Sequence, residues 1–375
     1  MNSSGFFSPQ SWSSIQQHLG PAARPTLIAL AAALLLTPLA ALLARRLGFV
    51  SKPSRERDIH VRPVPYLGGL AVYLAFSLSV LVFATHDRTH LALLLVCGLT
   101  ALIFLIDDAR EMPAWIKLLL QATIALVAML GFGASFRIDF IGIPGHQVVE
   151  LGWLALPVTL FWILGMENTV NLLDGVDGLA GGVVAIVALI LLVAAAGRSH
   201  QPDVLILAGA LAGACLGFLV FNFHPASIFM GDSGAYSMGL ALALISVLGV
   251  AKDAVAFALA VPILALAVPI LDTGLAIFRR RRAGLSIAHP DSRHIHHHLL
   301  DFGLTQPEIC VVFYSATAIL GSAGLMVLGH KRILSIAIVL MVVAVSTLLG
   351  ERLQGVRWRL AASLFHGLLD SDSTS

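Results

Sequence analysis

The feature that most constrains this chain is a series of about eleven long, nearly uncharged apolar runs. A helix needs about 20 mostly apolar residues to cross a bilayer. The runs are continuous and rich in Ala and Leu rather than alternating, which favours helices over the strands of a barrel. The predicted fold class is therefore an all-α polytopic membrane protein with about eleven transmembrane helices, near 26–47, 66–85, 90–106, 115–133, 151–166, 179–197, 204–221, 235–250, 254–278, 311–329 and 333–350.

Composition excludes the other classes of protein. Only 12% of the 375 residues are charged and 58% are hydrophobic, whereas a soluble domain is about 25% charged. The three cysteines, Cys97, Cys215 and Cys310, lie in apolar runs and show no disulfide or metal spacing. A formal net charge of +2 is too balanced to indicate nucleic acid as a partner.

Positive charge predicts how the chain is oriented in the membrane. With the N-terminus outside, 15 of the 23 Lys and Arg residues fall in loops on the cytoplasmic side and 7 on the other side. We therefore expect a single membrane domain over residues 1–375, with the N-terminus out and a cytoplasmic tail at 351–375. The polar, unusual loops then all face the cytoplasm, near 48–65, 107–115, 167–178, 222–234 and 279–310.

The first of these polar sites is an adjacent pair of acids, Asp107 and Asp108, at the end of an apolar run. Carboxylates at the C-terminal end of a helix oppose the helix dipole and need a cationic partner. Lys117 lies nine residues after Asp108. The arrangement indicates that a metal ion, a lysine or a phosphate-bound cation neutralises the pair.

A second polar site follows in the stretch NTVNLLDGVDG. Asn168, Asn171 and Asp174 are spaced three apart, so a helix would bring them to one face, and Asp177 continues the series. Their oxygens suit a hard cation and the N–H groups of a base or a sugar. Gly175 breaks the helix there and allows backbone to approach a ligand.

The third site is FMGDSG, which places Asp232 at the start of a helix. A helix N-terminus can help to hold an anionic ligand or a cation-bridged diphosphate. Phe229, three residues earlier, could stack on a planar base.

The last site is the histidine cluster RHIHHH, which contains His296, His297 and His298 after the basic run Arg279–Arg282. The cluster lacks the thiols, carboxylates and spacing of a zinc site, so hydrogen bonds to an anion are the better interpretation. The arginines are expected to anchor the chain to the cytoplasmic face. Asp272, an acid within a predicted spanning run, is expected to face a polar interior near the substrate.

Together these residues predict an Mg²⁺-dependent membrane enzyme that acts on phosphorylated substrates. Acids for a metal, a lysine and clustered cationic donors are what phosphoryl transfer needs in order to neutralise charge and align reactants. The position of the site at the membrane face indicates one soluble anionic substrate from the cytoplasm and one lipid phosphate from the bilayer.

Four motifs in order, DDAREMPAWIKLLLQ, NTVNLLDGVDGLAGG, FMGDSG and RHIHHHLL, resemble the polyprenyl-phosphate N-acetylhexosamine-1-phosphate transferases. The resemblance runs from about Lys52 to Leu300. It implies transfer of a sugar-1-phosphate from a UDP-sugar to undecaprenyl phosphate, with release of UMP. It also implies a bacterial cytoplasmic (inner) membrane location, with Mg²⁺, or Mn²⁺ in its place, as cofactor.

The resemblance further implies a role for each site residue. Asp107 would deprotonate or orient the lipid phosphate with Asp108 beside it, and Lys117 would contact phosphate. Asp232 would ligate the metal, with Asn171 as a further ligand.

The remaining residues would hold the UDP-sugar. Asp174 and Phe229 would bind uracil, Asp177 would complete the polar site beside Asn168, and the three histidines would engage the diphosphate or the sugar. A direct attack and a covalent aspartyl intermediate both remain open.

Two departures from the peptidoglycan branch of this family bear on the substrate. That branch has a Lys- and Thr-rich stretch before its paired glycines and an acid after its three histidines. Here VRPVPYL precedes Gly68-Gly69, and Leu299-Leu300 follow His298. The chain is more similar to enzymes that begin O-antigen, enterobacterial common antigen or wall teichoic acid, and UDP-GlcNAc is the expected donor.

Three alternatives stay open from sequence. The first is phospho-MurNAc-pentapeptide transfer. The second is an ion-coupled transporter, which would require midplane acids and inverted repeats. The third is a CDP-alcohol phosphotransferase, whose arginine-containing signature DGVDGLAGG lacks. The sequence also leaves open whether the protein is a homodimer.

Overall fold

A computed structural model describes residues 9–51, 63–84, 87–142, 148–196, 202–250, 278, 281–282, 299–300 and 302–327. The described helices are α1 Pro9–Leu47, α2 Gly68–Phe83, α3 Arg88–Ala109, α4 Ala114–Gly131, α5 Ala155–Leu173, α6 Leu179–Ala196, α7 Pro202–Asn222, α8 Gly231–Val250 and α9 Gln306–Val327.

Within these ranges, eight helices are long and apolar enough to cross a membrane, and α2 is a shorter apolar helix. The fold is therefore a polytopic helical membrane protein, as the apolar runs predicted. The predicted runs at 254–278 and 333–350 lie outside the described residues. The total of eleven helices and the orientation of the two termini stay predictions.

The first helix is longer than expected. It begins at Pro9 rather than near residue 26 and contains Pro21, Pro25 and Pro38. Hydropathy marks only the part of a helix that is apolar enough for lipid, so the polar N-terminal extension was not recognised. The candidate span itself is Gly20–Leu47.

A stripe of small residues brings α7 against α1. Gly209, Gly213 and Gly217 are spaced four apart on one face of α7. A Cβ atom added at Gly213 would lie 2.1 Å from the Thr26 carbonyl oxygen, and one at Gly217 would lie 2.6 Å from that of Leu30. The backbones of the two helices therefore approach at a distance that only glycine permits, as in small-residue packing in membranes.

Helix α8 lies at the centre of the bundle. Of the residues in its most apolar stretch, 89% are buried inside the protein, more than in any other described candidate span. Gly239 packs directly on the backbone of Glu167 in α5, and the Ser237 hydroxyl donates to the Cys97 carbonyl of α3 at 3.0 Å. Because α8 is enclosed by α3 and α5, polar groups at its first turn are brought next to the ends of both neighbours.

Short strands connect the helices at both ends of the bundle. β1 (Val50–Ser51) pairs antiparallel with β2 (Val64–Pro65), with Val50 opposite Pro65. β3 (Phe140–Gly142) pairs antiparallel with β4 (Val148–Glu150) between α4 and α5. All of these strands lie in connections between helices.

The paired glycines before α2 hold the start of α8. The backbone N–H of Gly68 donates to the Phe229 carbonyl at 3.0 Å, and that of Gly69 donates to the Met230 carbonyl at 2.9 Å. A Cβ atom at Gly69 would lie 2.2 Å from the backbone nitrogen of Gly234. The connection after α1 and the connection before α8 therefore meet at one end of the bundle.

We expect Gly69→Ala to destabilise the protein, because the added methyl group meets backbone rather than a movable side chain. Overpacking of this kind costs about 1–3 kcal/mol or more. The matched control is Gly165→Ala in α5, where a Cβ atom would meet nothing within 4 Å. Relief of the glycine penalty should make this control neutral or stabilising by up to about 1 kcal/mol.

Thermal unfolding of both variants in the same detergent would test the expectation. A Gly69→Ala protein as stable as Gly165→Ala would show that the close crossing of α2 and α8 is not required.

Candidate active site

The centre of the candidate site is the ammonium group of Lys117, in the first turn of α4. It lies 2.5 Å from Asp107 Oδ2 and 2.6 Å from Asp232 Oδ2. Three helices, α3, α4 and α8, thus each contribute one charged group to a single bridge. The two acids and the lysine come from separate motifs of the sequence, and the fold brings them together.

Asp107 is fixed at the end of α3. Its carboxylate is only 2% exposed, and its Oδ1 atom accepts a hydrogen bond from the Met112 backbone N–H at 2.6 Å. A buried carboxylate at a helix C-terminus is unfavourable without a cation. Lys117 supplies that cation.

The neighbouring acid, Asp108, has a different environment. Its Oδ1 accepts from the Asp232 N–H at 2.8 Å and its Oδ2 from the Ser233 N–H at 3.1 Å. Asp108 therefore caps the first turn of α8. From the sequence, the N-terminus of α8 was expected to help hold an anionic ligand or a cation-bridged diphosphate. In the structure, two of its N–H groups are bonded to the carboxylate of Asp108.

Gly231 makes this capping possible. Its φ angle is +73°, in the left-handed region, and a Cβ atom there would lie 2.8 Å from Asp108 Oδ2. Glycine is therefore required both by the backbone conformation and by the close approach of the carboxylate.

Asn171 completes the bridge from α5. Its Nδ2 atom donates to Asp232 Oδ1 at 2.8 Å. Asn168, one turn earlier, donates instead to Gln121 Oε1 and to the Leu164 carbonyl, each at 2.8 Å. The two asparagines therefore differ: Asn171 joins the charged cluster, whereas Asn168 packs α5 against α4.

Asp174 lies just past the end of α5, which stops at Leu173 rather than continuing through the predicted face. Burial raises the pKa of the Asp174 carboxyl well above its usual value, and the charges of Asp232 and Asp108 raise it further. The Gly231 N–H interacts with the same carboxylate. Asp174 is thus close to the cluster, and a bound cation would favour its ionised form.

Asp177 is held by the loop between α7 and α8. Its Oδ2 atom accepts from His224 Nδ1 at 2.9 Å and from the Ala226 N–H at 3.1 Å. Neither His224 nor Asn222 was identified from the sequence. Asn222 Oδ1 accepts from the Gly178 N–H at 3.1 Å, and its Nδ2 donates to the Ile228 carbonyl at 2.9 Å. The side chain of Asp177 therefore joins two loops of the site.

Phe229 lies in the connection between α7 and α8, two residues before α8 begins. Its backbone N–H donates to the Pro65 carbonyl at 2.8 Å, and its side chain is half-buried. Tyr66 directly follows Pro65, the residue to which Phe229 is hydrogen-bonded, and was not identified as a site residue from the sequence. Burial raises the pKa of the Tyr66 phenol, and the charge of Asp108 raises it further, so this ring lies near the acids.

A second polar layer lies one helical turn deeper, in α4, α8 and α5. Its members are four residues from Lys117, Asp232 and Asn171 respectively: Gln121, Tyr236 and Glu167. Glu167 is 0% exposed, and neither of its carboxyl oxygens has a hydrogen-bond partner in the described part of the chain. These three residues could have been identified from the sequence by their position, because each is a polar residue within an apolar run and lies four residues from a predicted site residue.

Other predicted residues cannot be placed. His296, His297, His298, Asp272 and Arg279 lie outside the described residues. The described chain nevertheless resumes at Leu299, directly after the histidines, and leads into α9.

The chemistry of the described groups suits a hard cation. The carboxylates of Asp107 and Asp232 contact the ammonium of Lys117, and those of Asp108 and Asp174 lie near Asp232. Carboxylate and amide oxygens are the ligands that Mg²⁺ uses in proteins. Within the described ranges, no group of three or more His, Cys, Asp or Glu side chains is already arranged around a metal position. The donor set thus fits in chemistry, with Lys117 between two of the carboxylates.

We expect Asp108→Ala to destabilise the protein more than removal of an ordinary helix cap. The variant leaves two backbone N–H groups of α8 without their carboxylate, at about 1 kcal/mol or more each. Asp87→Ala is the comparison, because the Asp87 carboxylate at the start of α3 is half exposed, so water can replace the hydrogen bonds that it accepts from the His90 N–H at 2.9 Å and the His90 ring Nδ1 at 2.8 Å. Thermal unfolding should show the larger loss for Asp108→Ala, and an equal loss would contradict the two-bond cap.

The family described as Glycosyl transferase family 4 matches residues 90–250, which contain α3 to α8. A Bacillus subtilis protein named "Probable undecaprenyl-phosphate N-acetylglucosaminyl 1-phosphate transferase" is 32% identical over 327 residues, covering 87% of this chain and 90% of that protein.

Two further relatives extend the comparison. A "Decaprenyl-phosphate N-acetylglucosaminephosphotransferase" of Mycolicibacterium smegmatis is 36% identical over 72% of this chain and 73% of its own length. A "Phospho-N-acetylmuramoyl-pentapeptide-transferase" of a Synechococcus species is 34% identical over 69% of this chain and 78% of its own length. The resemblance stated from the ordered motifs is thereby confirmed, and the chain belongs to glycosyl transferase family 4.

Proposed function

We propose that this protein transfers N-acetylglucosamine-1-phosphate from UDP-GlcNAc to undecaprenyl phosphate, releasing UMP. The observation that carries the proposal is the bridge of Asp107, Lys117 and Asp232, which joins three motif-bearing helices at one end of the bundle. The names of the Bacillus and Mycolicibacterium relatives support both the polyprenyl phosphate acceptor and the N-acetylglucosamine unit.

The reaction exchanges one phosphoanhydride for another. A phosphate oxygen of undecaprenyl phosphate attacks the phosphorus that bears the sugar. The bond from that phosphorus to the bridging oxygen breaks, and the bridging oxygen leaves on UMP. Asp107 orients the attacking phosphate and accepts its proton, because it is the buried carboxylate held against the ammonium of Lys117.

Lys117 neutralises charge during this exchange. Its ammonium already contacts two carboxylates within 2.6 Å, so it is preorganised in the place where anionic oxygens of the substrates would gather. A fixed cation in a partly buried site stabilises developing negative charge without needing to reorganise.

The nucleotide would be held at the border of the site. Asp174 is suited to bind the uracil N–H, and Phe229 to stack on the ring. His296, His297 and His298 are proposed to donate to the diphosphate or the sugar.

Mg²⁺, or Mn²⁺, is proposed as the cofactor. Asp232 and Asn171 would hold it, since their side chains meet at the centre of the cluster: Asn171 Nδ2 donates to Asp232 Oδ1, and a rotation of the amide would present its oxygen to a cation instead. When bound, the ion would neutralise the diphosphate and thereby make UMP a better leaving group.

Phospho-MurNAc-pentapeptide transfer is the alternative, and the Synechococcus relative bears that name. Two sequence features favour the GlcNAc assignment: VPYLGG lacks the Lys- and Thr-rich stretch, and HHHLL lacks the acid. We further propose a bacterial cytoplasmic membrane location with the site facing the cytoplasm, because positively charged loops gather on that side.

The experiment that tests the proposal combines detergent-purified protein, Mg²⁺, undecaprenyl phosphate and radiolabelled UDP-GlcNAc. Labelled lipid together with released UMP supports it. Label transfer only from other UDP-N-acetyl sugars would keep the reaction and replace the donor. Transfer from UDP-MurNAc-pentapeptide alone would establish the alternative, and failure of every donor with folded protein would overturn the reaction class.

Asp107→Asn should lower kcat at least about a hundredfold, since the amide cannot accept the proton. The amide keeps the shape of the side chain and Lys117 keeps Asp232 as its partner, so the variant should still fold, with a lowered melting temperature. Asp139→Asn is the control: Asp139 pairs with Arg137 in the connection between α4 and β3, away from the cluster, and should leave turnover intact. Full activity in Asp107→Asn would remove this residue from the mechanism.

Mg²⁺ should also raise the thermal stability of the protein without substrates, because any ligand that binds only the folded state stabilises it. EDTA should reverse the rise and abolish turnover. In Asp232→Asn the stabilisation by Mg²⁺ should be lost or strongly reduced. A melting temperature independent of Mg²⁺ in the wild type would contradict the proposed cation site.

A further inference from the structure

Three side chains of α9 contact the backbone of a single turn. Gln306, Cys310 and Tyr314 are spaced four apart, so they lie on one face of the helix. That face packs against the turn between α5 and α6, residues 174–178, which carries Asp174. None of these three residues was selected from the sequence.

Each of the three side chains hydrogen-bonds to backbone of that turn. The Asp177 N–H donates to Gln306 Oε1 at 3.1 Å, and Cys310 Sγ donates to the Asp177 carbonyl at 3.2 Å. The Tyr314 hydroxyl donates to the Gly178 carbonyl at 2.6 Å. The contacts involve peptide groups rather than side chains of the turn, so they fix its backbone.

The contact surface is also closely packed. Gln306 is 8% exposed and Cys310 is 0% exposed. The Tyr314 ring crosses α6 at Gly182, where a Cβ atom would lie 2.1 Å from the phenol oxygen. Water is a poor replacement for a hydrogen bond made in such a buried setting, so the loss of one would weaken the contacts that fix the backbone of the turn.

The turn is held from its other side as well. Gly178, at a φ angle of +83°, donates its N–H to Asn222, and the Asp177 carboxylate binds the loop before α8. α9 thus supplies the remaining contacts that fix the peptide groups next to Asp174. This matters because Asp174 is the C-cap residue of α5 and begins this turn, so the placement of its backbone depends on how the turn is held.

We propose that Gln306, Cys310 and Tyr314 are positioning residues for the donor nucleotide, acting through the turn at 174–178. They touch no substrate; they set where Asp174 meets the uracil base. The inference rests on the proposed function, in which Asp174 binds the nucleotide. It predicts an effect on the affinity for the UDP-sugar and little effect on the acceptor or on the chemical step.

The chain offers a matched control for a purely structural role. The Tyr73 hydroxyl of α2 donates to the Leu94 carbonyl at 3.0 Å, across Gly98 of α3. A Cβ atom at Gly98 would lie 2.3 Å from that hydroxyl. Tyr73 and Tyr314 therefore make the same type of contact, a phenol that crosses a glycine to reach a backbone carbonyl, but only Tyr314 reaches the turn.

The test compares Tyr314→Phe and Tyr73→Phe with the wild type in the transferase assay. Loss of one hydrogen bond should raise the KM for UDP-GlcNAc about fivefold in Tyr314→Phe. Its kcat and its KM for undecaprenyl phosphate should stay within about twofold. The inhibition constant of UMP should rise by the same factor as the KM, because UMP carries the nucleotide without the sugar. Tyr73→Phe should lose similar thermal stability and keep all these constants.

Two results would overturn the inference. One is an unchanged KM and UMP inhibition constant in Tyr314→Phe. The other is an equal rise in Tyr73→Phe, which would make the effect one of general packing. If Tyr314→Phe does not fold, Gln306→Met replaces it, since methionine keeps the length of the side chain and removes the acceptor for Asp177. An inactive wild type with all donors would instead refute the proposed function.

Discussion

The structure depends on the cost of placing several carboxylates where helices end at a membrane surface. Asp107 is nearly fully buried, and Asp232 lies beside it. Neither could stay ionised there without a cation, and the ammonium of Lys117 contacts both. Because the three residues belong to α3, α4 and α8, this one ionic bridge determines how the ends of three helices meet. Asp108 and Asp174 lie near the same bridge, so carboxyl groups outnumber ammonium groups there among the described residues, and this supports the proposal of a further cation.

Glycine allows the backbone around this bridge to come close enough. Gly69 lies against Gly234, and Gly231 lies against the carboxylate of Asp108. With no side chains between them, backbone N–H groups of α2 and α8 bond to loop carbonyls and to Asp108 instead of to water. The backbone at the start of α8, which carries Asp232, is therefore held from both α2 and α3.

Much of this could be predicted from the sequence. The apolar runs located every described membrane helix, and the order of the acidic motifs indicated a phosphoryl-transfer site before any contact was known. The start of α1 was placed too late, because a polar helical extension carries no hydropathy signal. Asp108, Asn168 and Asp177 looked like free ligands in the sequence, yet in the structure their oxygens or amide groups bond to the protein itself. A motif shows that a polar group is present, but it does not show whether that group hydrogen-bonds to a ligand or to another part of the protein.

What the sequence alone determined is the class of protein and the chemistry of its site, because hydropathy and residue type are local properties of the chain. Only the tertiary structure decided how that chemistry is shared among the residues. Lys117 and Asp232 are separated by 115 positions, and Asp177 and Gln306 by 129. Contacts over such separations follow from how close the helices can pack, which depends on side-chain volume at crossings such as Gly69 with Gly234 and Tyr314 with Gly182.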